Sequence, residues 1–335
     1  MKNFKLLSML LAAASLLLAS CSIDNLSHPK LENEYVVTLS AQIPYSMNSR
    51  AGVVPGNGDE IAKLSYWVYS VSGSNWTYLP DLSGVKDITS SSASLSLSLI
   101  KAMEYKVVLW ADAFGDAANS PYSYDPNTFN LTMDFDKITA NNEALDAFYG
   151  VAGINANSTY HRHSVTLTRP FAQLNIGTSA FDTIEASGLT LSTTGIELVC
   201  ANVINLKDGS VSGEENCIYT PGAPPIGYEF PYNPNIYGYI SLNYILVGTS
   251  EVTSTVTFSY NMGAEYTCSI NNVPLKRNRR TNIHGNIIAD PHSLSISLKD
   301  FSSTSHNKTE GWDPKEDPEG EVIGGGSGDP AEDPF

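Results

Sequence analysis

The sequence predicts an all-β chain folded as antiparallel β-sandwiches. Three observations carry this expectation. Short runs with an apolar residue at every second position recur along the chain, the period of a half-buried strand. The segments between them are rich in Ser, Asn, Gly and Pro. Beyond the first twenty residues, no stretch long enough for a substantial helix spaces its apolar residues at the helical period. Short strands, polar turns and no strand–helix rhythm argue for sandwiches over a parallel α/β sheet.

The N-terminus comes first. Lys2 and Lys5 precede an apolar, small-residue run ending at Leu18. This is the pattern of a secretion signal, and it falls short of the about 20 apolar residues that span a bilayer. The run leads into Leu18-Ala19-Ser20-Cys21, which resembles a bacterial lipobox. That resemblance implies cleavage of residues 1–20, a signal peptide, and lipidation of Cys21 on its thiol and new amine. More than one acyl chain gives durable anchoring where a single chain is marginal. Residues 21–32 are polar, include Pro29 and read as a tether.

The strands follow in order. Tyr35, Val37, Leu39, Ala41 and Ile43 alternate with mostly polar neighbours, and a polar link from Asn48 to Glu60 follows. Ala62, Leu64, Tyr66 and Val68 form the next face. Ala93, Leu95, Leu97 and Leu99 alternate with serines. Tyr105, Val107, Leu109 and Ala111 repeat the pattern with Trp110 on the opposite face, so this strand is expected to be covered on both sides. Leu131, Met133 and Phe135 make a short strand. Val165 and Leu167 lead through Pro170 to Ala172, Leu174 and Ile176; a proline there removes a ladder donor and predicts a bulge or sheet edge. In the second half Leu189 and Leu191, Tyr239 to Gly248, Val252 to Phe258, Tyr266 to Ile270 and Ser293 to Leu298 continue the pattern. Phe181 to Ala186 and Asn142 to Phe148 have room for a helical turn or two.

The formal charge is −16, from 19 Lys and Arg against 35 Asp and Glu, and Lys2 and Lys5 would leave with the signal. Such a surface disfavours nucleic acid as a partner, and membrane contact rests on the lipid. Cys200, Cys217 and Cys268 remain after Cys21. Cys200 and Cys217 bracket a polar loop and could pair, but the separations suit no standard zinc site and three independent thiols are the default reading. Cys268 alternates with Tyr266 and Ile270, pointing into a core. His161 and His163 flank Arg162 and read as exposed. Lys276, Arg277, Arg279 and Arg280 read as a turn of solvated or locally paired charges, or as a docking patch for acidic surface on a neighbouring subunit. No nucleophile elbow, His-Glu-x-x-His or phosphate loop occurs, so no enzyme, cofactor or metal is expected.

Several stretches carry a resemblance: Tyr105–Asp112 (YKVVLWAD), Asp146–Gly150 (DAFYG), Val165–Ile176 (VTLTRPFAQLNI), Tyr244–Gly248 (YILVG) and Asn272–Gly285 (NVPLKRNRRTNIHG). In their order and spacing, and with the lipobox, they resemble the fimbrillin superfamily of Bacteroidota. The resemblance implies two tandem transthyretin-like antiparallel β-sandwich domains, at residues 33–165 and 166–300; residues 301–335, acidic and rich in Gly and Pro, read from their composition as a flexible tail. It implies a lipid-anchored outer-membrane protein that works as a type V pilus subunit or accessory protein. Its partners would be other pilus subunits and host or bacterial surface ligands. It further implies proteolysis after Arg50, release of a first strand whose Val37, Leu39, Ala41 and Ile43 fill a groove, and refilling by strand addition. Ser293, Leu294, Ile296 and Leu298 are the candidate donor. Arg169 is expected to be a structural arginine satisfied by carbonyls or by Asp112 or Asp146. The alternative reading is a lipid-anchored carbohydrate- or host-ligand-binding module that does not polymerise, since 18 Tyr and 4 Trp supply stacking surfaces.

Replacing Cys21 by serine is expected to abolish incorporation of a clickable fatty acid and retention in the outer membrane. Undiminished label in the variant would remove the anchor.

Overall fold

The computed structural model describes residues 33–44, 55–225, 227–288 and 294–301. In chain order the strands are β1 (Glu34–Gln42), β2 (Lys63–Ser72), β3 (Asn75–Asp87), β4 (Ser92–Ile100), β5 (Glu104–Asp112), β6 (Tyr122–Asp125), β7 (Asn130–Met133), β8 (Phe148–Asn155), β9 (Arg162–Thr166) and β10 (Phe171–Thr178). The helix α1 (Phe181–Ala186) separates β10 from β11 (Thr193–Asn205). Then come β12 (Val211–Gly222), β13 (Gly238–Leu246), β14 (Val252–Asn261), β15 (Glu265–Leu275), β16 (Arg279–Gly285) and β17 (Leu294–Asp300). Short 3-10 turns lie at Phe135–Lys137 and Glu143–Leu145.

The chain is all-β, and its sheets form sandwich-like layers. One three-stranded sheet runs β4-β1-β9, and a four-stranded sheet runs β3-β2-β5-β8. A second four-stranded sheet runs β13-β10-β16-β17; in the last sheet β12, β11, β14 and β15 are successive neighbours, with β7 and β6 joined to the far end of β11. The pairings thus repeat. β1 lies between β4 and β9, and β10 lies between β13 and β16, with the same relative directions in both sheets. The order β3-β2-β5-β8 is matched by β12-β11-β14-β15. Among the strands, the β6–β7 hairpin, between β5 and β8, and β17 fall outside the repeat.

The expectation of purely antiparallel sheets is corrected at two places, where β1 runs parallel to β9 and β10 parallel to β16. A parallel neighbour needs a long crossover, and the strands between each pair supply it. Pro170 makes neither a bulge nor an edge. It is buried at the junction where the chain leaves β9 for β10 in another sheet. Leu189 and Leu191 lie in the coil before β11, with Leu189 48% exposed.

Alternation decides which core each side chain enters. Leu64, Val68, Val107, Leu109 and Ala111 join one cluster with the β1 and β4 side chains. Tyr69, Val108 and Trp110, on the opposite face, join a second cluster with Phe171, Leu174 and Tyr244. β5 is therefore covered on both faces, as its sequence predicts. Trp110 is 2% exposed, donates Nε1–H to Asp112 Oδ2 at 2.7 Å and meets Tyr122 edge-on.

Trp110→Ala is expected to cost about 3–5 kcal/mol in urea denaturation. Because its face packs on both Tyr122 and Phe171, near-UV and far-UV dichroism should shift together; a loss confined to one probe would show that this layer is not cooperative.

Candidate functional site

The first strand sits in a slot. Antiparallel to β4, its register pairs Val37 with Leu97, Leu39 with Leu95 and Ala41 with Ala93, while β9 lies parallel on its other edge. Val37 and Leu39 are fully buried, and Ala41 and Ile43 nearly so. Burying a Val, Leu or Ile side chain contributes about 1.5–3 kcal/mol, so this apolar row holds the strand firmly. The intervening Val36, Thr38 and Gln42 are exposed, which gives the clean alternation seen in the sequence. Tyr35 donates its hydroxyl to the Tyr160 carbonyl and stacks on His161 at 4.7 Å, and His161 Nδ1 lies 2.8 Å from the Val36 carbonyl. At the other end Ile43 N–H donates to Ser91 O and Leu167 N–H donates to Gln42 O.

The chain re-enters the described structure at Pro55, where a buried polar cluster grips it. Arg169, 3% exposed, donates from Nε and Nη2 to the two carboxylate oxygens of Asp146 at 2.6 and 2.7 Å. Its Nη2 also reaches the Gly56 carbonyl at 2.8 Å. Arg280 donates to Pro55 O at 2.6 Å and to Gln173 Oε1 at 2.9 Å. The Phe301 ring, just past β17, lies 3.7 Å from the Arg169 guanidinium and 4.7 Å from that of Arg280. Glu143 Oε1 accepts from Gly56 N–H and from the Tyr244 hydroxyl, the latter at 2.6 Å. Gly56 has a φ of +77°, and a Cβ there would come within 2.7 Å of the Phe301 ring, so this position suits glycine alone.

The electrostatics follow from burial. Desolvation pulls the Arg169 guanidinium down, and contact with Asp146 outweighs it, leaving the group above its usual value. Arg280 has no such carboxylate in contact; burial and then the neighbouring Arg169 lower it to about 10, still charged at neutral pH. Burial pushes Glu143 up to about 7, and Asp146 adds to the rise against the hydrogen bonds from Tyr244 and Gly56. Its second oxygen, Oε2, is buried with no hydrogen-bond partner.

Several sequence expectations now have places. Arg169 is the structural arginine anticipated, with Asp146 as its carboxylate. Two of the four basic residues, Arg277 and Arg280, are buried, which corrects the expectation for them. Arg277 and Arg280 are 8% and 4% exposed; Arg277 donates to Val247 O, Gly209 O and the Tyr149 hydroxyl. Lys276 and Arg279 are half-buried, and Arg279 pairs with Asp300, as a turn of locally paired charges would. Cys200 and Cys217 are free thiols in contact across β11 and β12, with Cys217 Sγ 3.5 Å from the Cys200 carbonyl. Cys268 is half-buried and packs against the core, as its alternation predicts. Leu294, Ile296 and Leu298 lie half-buried on β17, the edge strand beside β16. Cys21, Arg50 and Ser293 lie outside the described residues. Glu143, Gly56 and Phe301 carried no signal in the sequence, because their contacts join segments far apart in the chain. Among the described residues no three His, Cys, Asp or Glu side chains are grouped to hold a metal ion.

The model of a family of unknown function, DUF6562, matches residues 29–310. The chain belongs to that family. No curated protein matches it. Solved structures similar to this DUF6562 chain include a candidate adhesin from Bacteroides thetaiotaomicron, at 10% identity and a TM-score of 0.48, covering 80% of this chain and 98% of that one. A fimbrial assembly protein from Parabacteroides distasonis is similar at 13% identity and a TM-score of 0.41, covering 80% and 96%. The fimbrial anchor protein Mfa2 from Porphyromonas gingivalis is similar at 12% identity and a TM-score of 0.39, covering 78% and 97%.

The raised Glu143 value sets a pH dependence. A carboxyl raised on folding contributes stability that is fully present below about pH 4.5 and lost as pH rises through about 7. The full loss is about 3 kcal/mol. Glu143→Gln, which cannot ionise, should flatten the stability–pH profile across that window. An unchanged profile would show that Glu143 is not the titrating group. Arg169→Met should cost about 3–5 kcal/mol, since it leaves Asp146 buried without its partner.

Proposed function

We propose that this chain is a non-enzymatic, lipid-anchored cell-surface protein of fimbrillin type, serving as a fimbrial subunit or accessory protein and contributing to adhesion through β-strand addition. The observation that carries the reading is the seat of β1. It is a central strand, joined to the rest of the chain through residues 45–54, which include Arg50. Its removal would leave facing edges on β4 and β9 and an empty apolar row where Val37, Leu39, Ala41 and Ile43 had been. Backbone ladders supply affinity to an incoming strand, and the alternating pockets supply selectivity.

In this reading Arg50 is the cleavage point and residues 21–50 leave with the lipid on Cys21. β17 is the donor, with Leu294, Ile296 and Leu298 and the neighbouring Ser293 as the inserting residues. An edge strand can leave its sheet without parting two neighbours. The internal repeat, with β1-to-β9 and β10-to-β16 as its copies, supports a division into two transthyretin-like domains near residues 165–166. The β6–β7 hairpin, added to β11, ties the first unit to the second.

The test is limited digestion of the purified protein with an arginine-specific protease. A new N-terminus at Ala51 followed by SDS-resistant ladders is the expected outcome. An uncut Arg50 with a protein that stays monomeric would end the strand-exchange reading.

A further inference from the structure

Beside the slot, the molecule has a second feature that the strand-exchange reading does not use. Between β2, β3 and the β6–β7 hairpin lies an open cleft of about 350 Å³. We infer that this cleft is a binding site for a neutral saccharide, with Trp67, Tyr78 and Tyr124 as the aromatic surfaces and Asp116 and Ser123 as polar contacts at its rim.

The cleft is built by a local break in the sheet. β2 pairs regularly with β5, placing Trp67 opposite Val108, but on its other side the register jumps from Tyr66–Gly84 to Val68–Leu79. The four β3 residues Pro80 to Ser83 therefore detour away from Trp67. Ser83 holds the detour: its hydroxyl accepts Val68 N–H at 2.9 Å and donates to Leu79 O at 2.8 Å. Trp67 faces the same way as Ser65 and Tyr69 and is left half-buried, as are Tyr78 and Tyr124. The opposite wall is the β6–β7 hairpin, the insertion that has no counterpart between β14 and β15. Trp67 and Tyr124 already pack on each other, 3.9 Å between ring centres, and the Tyr69 and Tyr124 hydroxyls lie 2.8 Å apart, so a sugar would stack on the sides these half-buried rings leave open rather than between them. The inserted hairpin thus adds an aromatic wall at the place where the sheet opens.

The chemistry selects the ligand class. Aromatic faces stack on the C–H faces of sugar rings, and tyrosine and tryptophan combine an apolar body with a polar tip. Small-ligand sites join such surfaces to a few polar groups that fix orientation. Here those groups are the exposed Asp116 and Ser123. The buried Asp112 at the cleft floor already accepts from Trp110 Nε1, Phe114 N–H and Gly115 N–H. Two carboxylates in the lining, in a chain of net charge −16, repel sialylated or uronic-acid sugars and leave neutral ones.

The experiment is saturation-transfer NMR on the full chain with maltotriose, cellotriose, N,N′-diacetylchitobiose and 3′-sialyllactose, backed by an array of neutral glycans. Transfer to ring protons of at least one neutral sugar is expected, with none to 3′-sialyllactose. Trp67→Ala and Asp116→Asn should each weaken binding at least ten-fold, whereas Tyr266→Ala, at an exposed aromatic away from the cleft, should not. Should Trp67→Ala fail to fold, Trp67→Phe and the surface change Asp116→Asn decide. No binding to any neutral glycan, preference for the sialylated probe, or binding indifferent to both cleft changes would overturn the inference. Cleavage at Arg50 is read separately, so the two proposals fail independently.

Discussion

The bidentate pair of Arg169 with Asp146 is the contact on which the centre of the molecule depends. Arg169 stands between β9 and β10, where the chain passes from the first half of the topological repeat to the second. Asp146 caps the 3-10 turn that leads into β8. A charge buried this deeply is costly unless its donors are used, and here they reach the carboxylate, the Gly56 carbonyl and the face of Phe301. One side chain therefore fixes the entry of β8, the junction to β10, the segment after β1 and the end of β17. The ladder bonds within each sheet set strand against strand; this cluster sets sheet against sheet.

The repeat of pairings explains why so much of the structure is regular and where it stops being so. In both halves the opening strand is flanked by an antiparallel and a parallel neighbour, and the other sheet is a hairpin continued by two further strands. What departs from this plan is not needed to complete a sandwich. The β6–β7 hairpin extends the β11 edge and walls the aromatic cleft. β17 covers the outer edge of β16, whereas in the β4-β1-β9 sheet no described strand pairs with the outer edge of β9.

Legibility in the sequence tracked the environment of each strand. β4 reads plainly because Ala93, Leu95, Leu97 and Leu99 are buried while the intervening serines face water. β1 reads for the same reason. β3 and β12 did not, because most of their residues are exposed and carry no apolar period. β16 was hidden the opposite way: Arg280, Thr281, Asn282 and His284 are buried, and polar residues on both faces resemble a loop. The same confusion turned Arg277 and Arg280 into surface charges, since a basic run usually is one. Arg169 was legible because it interrupts an apolar pattern beside a proline, and a carboxylate in a neighbouring motif offered a partner. Its partners Gly56, Asn278 and Phe301 lie more than a hundred residues away in the chain, and no local pattern marks them.

The cluster also links the two ends of the proposed exchange. Pro55 and Gly56 lie just past Arg50, on the side of the proposed cut that stays with the molecule, and Phe301 follows the candidate donor strand; both rest on Arg169 and Arg280. Displacing Pro55 and Gly56 would take one carbonyl from each guanidinium and the Gly56 N–H from Glu143. Arg280 would then depend on Gln173 and Phe301 in a setting that already lowers its affinity for a proton. The packing of Phe301 is worth more when those carbonyls are present, because they help hold the guanidinium planes beneath the ring. Coupling of this kind is reciprocal: whatever loosens the segment after β1 loosens the end of β17, and whatever holds β17 down steadies that segment.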